Sequence, residues 1–258
     1  MKNENNVKKS RRKRGIYLLP NLFTTTNLFF GFYSILASMQ GDLSQAALVI
    51  MIAMILDGLD GRIARMTNTM SKFGAEYDSL ADLVTFGVAP AILAHSWALY
   101  AYGKWGWLVA FLFVVCGALR LARFNIQIGI IESKVFNGLP IPAAASVVAT
   151  GVLLYYYLGG AGKFHDLSIL LAIAGLALLM VSNVKYYSFK DLNFFSRKPF
   201  MSFVLIVLIM IIIVAEPQIT FFIFSLGYGL SGPGWWLIKH IRDAAKGRPA
   251  TNAKLTGK

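Results

Sequence analysis

The stretch Asp57-Gly-Leu-Asp60-Gly61-Arg-Ile-Ala64-Arg65, followed after a short polar link by Gly74-Ala-Glu-Tyr-Asp78-Ser-Leu-Ala-Asp82, sets four carboxylates at the edges of apolar runs. Asp57, Asp60, Gly61 and Ala64 fall at i, i+3, i+4 and i+7, which is one face of a helix. Gly74, Asp78 and Asp82 recur every four residues and form one stripe on the next helix. The link from Met66 to Phe73 is short, so the two helices pair antiparallel and the four carboxylates meet near one end of the pair. Carboxylates crowded in this way repel unless protons or cations neutralise them. Hard divalent cations with oxygen ligands, Mg²⁺ or Mn²⁺, are the natural solution. The three histidines, at 95, 165 and 240, stand away from the stripe, which argues against zinc.

Outward from this stretch the chain is strongly apolar. Of its 258 residues 57% are hydrophobic and 14% charged, with a mean hydropathy of +0.60. A membrane-crossing helix needs ~20 mostly apolar residues. On that template the sequence predicts an all-α polytopic membrane helix bundle of about eight transmembrane helices, over 20–39, 45–64, 83–102, 106–124, 141–159, 166–183, 200–215 and 218–237. One membrane domain is expected over 16–238, with a core over about 16–185 and an extra hairpin over about 200–238. It lies between a basic segment, 1–15, and a basic tail, 239–258. The stretch Ile16–Met39 is longer and more polar than a cleaved signal peptide's apolar core, and is kept as the first span.

The net charge of +13 is distributed as a membrane topology signal rather than as a nucleic-acid footprint. Of the 25 Lys and Arg, only Lys104 and Lys163 fall on one side of the predicted spans. The bias places both termini and the acidic stretch in the cytoplasm and excludes nucleic acid as the expected partner. Pro140 and Pro142 are expected to open the fifth span, and Pro217 after Glu216 marks the turn between the last two. The final hairpin holds no polar cluster and is expected to serve packing or assembly.

The pattern D-x-x-D-G-x-x-A-R-x8-G-x3-D-x3-D is matched without departure from Asp57 through Asp82. It resembles the signature of the CDP-alcohol phosphatidyltransferases. The resemblance implies that Asp57, Asp60 and Asp78 bind two divalent cations, Mn²⁺ or Mg²⁺, with Asp82 completing the metal cluster and acting as general base. It places Gly61, Ala64 and Gly74 against a CDP moiety and Asp57 and Arg65 near its ribose and diphosphate. Minimal side chains at those three positions also suit close helix packing. The implied reaction is attack by an alcohol hydroxyl on the lipid-side phosphorus of a CDP-linked lipid, releasing CMP. A homodimer is implied as well.

Three further segments resemble the phosphatidylserine synthase branch of that family: Arg120-Leu-Ala-Arg123-Phe-Asn125, Phe136-Asn-Gly-Leu-Pro-Ile-Pro142-Ala-Ala-Ala145 and Tyr186-Tyr-Ser-Phe-Lys190. The opening Pro20-Asn-Leu-Phe-Thr24-Thr-Thr-Asn27 resembles the first span of the same branch. The expected substrates are therefore CDP-diacylglycerol and L-serine. A serine carboxylate favours a cationic partner, so Arg120, Arg123 and Lys190 are candidate acceptor contacts, with Asn125 for the ammonium or hydroxyl. Asn21 and Thr24 are candidate contacts to the nucleotide. Each cation also fits a plain positive-inside role, and the threonines fit bonding to their own helix. Two rival readings stand beside serine transfer: the same chemistry with glycerol 3-phosphate, inositol or choline, and a divalent-cation transporter with an acidic intramembrane site.

Overall fold

In hydrocarbon every backbone N–H and C=O must find a partner within the chain, and long apolar runs meet that demand as helices. The computed structural model describes residues 2–66, 72–127, 135–162, 164, 166–187 and 199–245. Helix α1 (Lys2–Gln40) carries the basic N-terminal segment as a continuation of the first apolar run. It turns back at Gly41, whose φ of +90° is open to glycine at no steric cost, into α2 (Leu43–Met66). Helix α3 (Lys72–Asp82) passes through a π-helical turn (Leu83–Val88) into α4 (Ala89–Trp97), so that Lys72–Trp97 is one helix of 26 residues. A 3-10 turn (Leu99–Tyr102) leads to α5 (Lys104–Gln127).

Strand β1 (Val135–Asn137) pairs antiparallel with β2 (Lys185–Tyr187), Phe136 opposite Tyr186, and this ribbon is the β structure among the described residues. Between its strands run α6 (Ile141–Tyr157) and α7 (Leu167–Val181). Pro140 and Pro142 do flank the first residue of α6, and the Asp166 side chain caps α7 by accepting the Ser168 N–H at 2.8 Å. The chain closes with α8 (Pro199–Ala215) and α9 (Pro217–Ala245), broken at Glu216 as expected. Helix α9 packs on α6 and β2, and α8 packs on α9.

The all-α character and the positions of the apolar helices agree with the sequence reading, while the crossings are fewer by length and hydropathy. Among the described residues three helices are long and apolar enough to cross a membrane: Asn21–Gln40, Lys72–Trp97 and Lys104–Ile126. Phe203–Ala215 and Pro217–Lys239, bent by 118°, make a fourth if counted as one span. Leu43–Leu59, Ile141–Tyr157 and Leu167–Val181 are apolar but shorter. The third run also begins earlier than expected and ends at Trp97, because the acidic stripe continues into the apolar run without a break.

Packing follows membrane logic. Lipid tails are as apolar as leucine, so helices associate through close contact of small residues rather than through hydrophobic burial. The buried positions accordingly include Ala46, Ala47, Ala53, Ala89, Ala144 and Ala149, while Phe203, Leu208, Ile211 and Leu178 are exposed. Small residues inside and large apolar ones outside are the arrangement of an integral membrane protein. Gly31 marks the closest approach of α1 to the π-helical turn: a Cβ there would lie 2.5 Å from Thr85 Oγ1 and 2.8 Å from Thr85 Cα. Gly31→Ala is therefore expected to cost about 1–3 kcal/mol by forcing these backbones apart. Gly175→Ala, where a Cβ meets nothing within 4 Å, is expected to be neutral or stabilising. Thermal unfolding midpoints in detergent would check the pair, and equal midpoints would refute the close approach.

Candidate active site

Asp57 enters from the C-terminal half of α2, and Asp78 and Asp82 enter from the single stripe of α3. One carboxylate oxygen from each lies within 4.8 Å of the others, and all three residues are half-buried. These three aspartates thus meet as expected, although α2 and α3 come together mainly through their shared packing on α1. Such oxygens fit a hard divalent cation, which relieves the repulsion between them. Asp60 continues the α2 face one turn on, but its side chain, like those of Gly61, Ala64 and Arg65, lies outside the described residues. Gly74, half-buried one turn before Asp78, keeps the approach to the stripe low.

Helix α1 lies against the acidic stripe. Asn21, Thr24 and Asn27 follow at steps of three, with Asn21 half-buried and Thr24 and Asn27 buried. Asn27 Nδ2 donates to Asp82 Oδ1 at 3.4 Å, and Thr85 Oγ1 donates to the Asn27 carbonyl at 3.0 Å. Thr25 Oγ1 donates to the Asn21 carbonyl at 2.7 Å. Having given its one proton, that hydroxyl accepts from Tyr77 OH at 3.0 Å. Tyr77 in turn stacks on Phe73, with ring centroids 6.0 Å apart. Thr26 bonds back to the Leu22 carbonyl at 2.9 Å, the helix-internal role that such residues commonly adopt.

The candidate acceptor residues divide. Arg120 is half-buried on α5, 5.5 Å from the centroid of Phe124, and lies within electrostatic reach of the Asp82 carboxylate and the Tyr228 hydroxyl. Arg123, one turn on, donates from Nη1 to Asn183 Oδ1 at 3.3 Å and to the Ser182 carbonyl at 3.5 Å, bracing α5 against the end of α7. Asn125 Nδ2 donates to Ser79 Oγ at 2.9 Å, tying α5 to the back of the acidic helix. Lys190 lies outside the described residues. Tyr228 and Asn27 are the neighbours that the sequence reading did not single out. A signal for Asn27 was present, since it continues the stripe of Asn21 and Thr24. None was present for Tyr228, which lies on the hairpin expected only to pack.

The ribbon anchors this corner. Gly138, at φ +82°, donates its N–H to the Val184 carbonyl at 2.9 Å, and a Cβ there would lie 2.3 Å from the Met180 carbonyl oxygen. Tyr186 is fully buried, and its hydroxyl donates to the Gly229 carbonyl at 2.9 Å. Burial pushes that hydroxyl up to about 12, so it remains a neutral donor. Segments far apart in sequence, at 120–125, 136–145 and 182–187, are thereby joined. An open hollow of about 480 Å³ lies elsewhere, around the α1–α2 turn at Gly41, Asp42 and Tyr156, and lacks a comparable cluster of carboxylates.

Known proteins resemble this chain over most of its length. Residues 17–231 match the family model described as CDP-alcohol phosphatidyltransferase. A CDP-diacylglycerol–serine O-phosphatidyltransferase of Helicobacter pylori is 40% identical over 230 residues, which cover 88% of this chain and 94% of that protein. One of the same name from Bacillus subtilis is 38% identical over 174 residues, 67% of this chain and 91% of its own length. An archaetidylserine synthase of Methanothermobacter thermautotrophicus is 39% identical over 170 residues, 65% of this chain and 69% of that protein.

If the three carboxylates form one cation site, the purified protein should bind Mn²⁺ in detergent without any substrate. Asp57→Asn and Asp78→Asn should each weaken that binding by about tenfold or more, because each removes one charge in direct reach of the ion. Loss of the free-ion electron paramagnetic resonance signal reads it directly. Undiminished binding in both variants would dissolve the site.

Proposed function

The chain belongs to the CDP-alcohol phosphatidyltransferase family, and on that premise we propose that it transfers the phosphatidyl group of CDP-diacylglycerol to the hydroxyl of L-serine. The products are phosphatidylserine and CMP. The observation that carries the reading is the meeting of Asp57, Asp78 and Asp82 from two helices, with Arg120 on a third within electrostatic reach of Asp82.

In this reading the serine hydroxyl attacks the lipid-side phosphorus. A bond forms from its oxygen to phosphorus as the bond to the CMP phosphate oxygen breaks, and the hydroxyl proton passes to Asp82. An alcohol is a poor nucleophile at neutral pH, which is why a carboxylate within hydrogen-bond reach is needed. Two divalent cations, Mn²⁺ or Mg²⁺, held by Asp57, Asp60, Asp78 and Asp82, supply charge neutralisation of the diphosphate and of the departing CMP. Asn21, Thr24, Gly61, Ala64, Arg65 and Gly74 take the CDP moiety. Arg120 takes the serine carboxylate with paired hydrogen bonds. Arg123 and Asn125, already engaged with Asn183 and Ser79, hold the corner in shape, and Lys190 adds a further cation to it.

The charge distribution supports both termini in the cytoplasm, hence an even number of crossings, and a site open to that side of the cell membrane. Acyl chains then stay in lipid while serine arrives from water. A homodimer belongs to the same proposal.

Purified protein in detergent, given CDP-diacylglycerol, should release CMP with L-serine and only when Mn²⁺ or Mg²⁺ is present. Release with glycerol 3-phosphate, inositol or choline instead would keep the catalytic residues and discard the serine pocket. Cation flux through proteoliposomes without CMP release would favour a transporter. Asp82→Asn should abolish turnover in a protein that still inserts and extracts normally. Arg120→Gln should raise the KM for serine by about tenfold or more, as expected for a lost charged hydrogen bond, and leave that for CDP-diacylglycerol nearly unchanged. Arg123→Gln should lower the thermal midpoint without that selectivity. An equal rise of both KM values in Arg120→Gln would make Arg120 structural.

A further inference from the structure

We propose that Asn27 is a positioning residue for the reaction, its side-chain amide fixing the plane of the Asp82 carboxylate that takes the acceptor's proton. The inference rests on the assignment of Asp82 as base.

Asn27 is fully buried, at 0% exposure, between α1 and the helix that carries Asp82 and Thr85. Its Nδ2 donates to Asp82 Oδ1 at 3.4 Å, while its own Oδ1 has no hydrogen-bond partner. A buried amide oxygen left without a partner is costly, and a leucine of similar size would remove that cost. Packing alone therefore does not account for an amide at this position. The one bond its side chain makes, to Asp82, does. Catalytic hydrogen bonds are commonly long before substrate arrives and tighten afterwards, so 3.4 Å suits a bond made for orientation.

The same pair of segments is held in register by a second bond. Thr85, one turn beyond Asp82, donates from Oγ1 to the carbonyl of Asn27 at 3.0 Å. One turn further along α1, Gly31 sits directly against Thr85, so no side chain separates the two backbones. The two backbones are thus held close beside Asp82, and the π-helical turn Leu83–Val88 begins at the next residue. Such turns often mark functional sites in helices. With its plane set from α1, the carboxylate loses rotational freedom that would otherwise have to be lost in the transition state.

The test compares Asn27→Leu, Asn27→Ala and Asp82→Asn at saturating Mn²⁺, each scored for kcat, both KM values and thermal midpoint in detergent. Asn27→Leu should unfold at or above the wild-type temperature, yet lose about tenfold or more in kcat. The KM values for serine and CDP-diacylglycerol should stay within about twofold of wild type. Asn27→Ala, which leaves space rather than a clash, should show the same kcat-only loss if the leucine fails to insert. Wild-type kcat in either variant overturns the proposal. So does a loss of kcat in Asn27→Leu matched by a fall in thermal midpoint, since that pattern belongs to a packing residue. Wild-type turnover in Asp82→Asn would instead remove the base itself, and with it the reading on which this inference rests.

Discussion

Placing several like charges within a few ångströms of one another at the edge of an apolar phase is the constraint that the rest of this structure answers. A carboxylate costs several kcal/mol to desolvate in practice, and a second one beside it adds repulsion. Asp57, Asp78 and Asp82 nevertheless place oxygens within 4.8 Å of one another. Two devices keep them there. Helices α2 and α3 both pack against α1, and the three residues project from helix faces rather than from loops. Their directions are then set by helical geometry, which has little freedom to relax the repulsion by moving apart. A bound cation would remove that repulsion without protonating the carboxylates.

Close helix contact has its own requirement, met by small residues. Gly31 against Thr85 and the buried alanines of α2, α4 and α6 let backbones approach where leucines would hold them apart. The benefit is positional more than energetic. A hydrogen bond from Thr85 to the main chain of α1 exists because Gly31 has no side chain, and the register of Asn27 against Asp82 follows from that bond. Substitution at a glycine that touches no substrate would therefore reach the chemistry through main-chain geometry.

Much of this was legible in the sequence, because the deciding signals are local. Steps of three and four placed the aspartates on facing stripes, Pro140 and Pro142 opened α6, and Pro217 opened α9. What escaped is long-range. Arg120 and Arg123 are indistinguishable as cations near the end of one helix. Their separation into a residue within electrostatic reach of Asp82 and a brace on Asn183, just past α7, depends on chain about sixty residues away. Asn27 meets Asp82 across a comparable distance, and an unpartnered buried oxygen leaves no mark in a sequence. Tyr228 was overlooked because the last hairpin reads as uniformly apolar, whereas α9 turns one face into the bundle, with Tyr186 bonded to Gly229. The span beginning at Lys72 was missed for another reason: hydropathy alone divides a helix where its character changes, though the hydrogen-bonded backbone runs on.

The two halves of the site are built from different parts of the chain. Helices α1, α2 and α3 supply the carboxylates and the amide that holds Asp82. Helix α5, the ribbon and α9 supply Arg120, its brace and Tyr228. In the proposed reaction the first group would act on phosphorus, and it has no means of telling one alcohol from another, since every acceptor offers the same hydroxyl. Discrimination must come from groups that read what else the acceptor carries, and a carboxylate beside an ammonium is read by a fixed cation better than by a mobile one. Fixing it falls to Arg123, Gly138 and Tyr186, none of which needs to touch the acceptor. On the proposed assignment, selectivity would be altered at this corner without disturbing the acidic cluster, and Asp82, within reach of Arg120 on one side and of Asn27 on the other, is where the two halves meet.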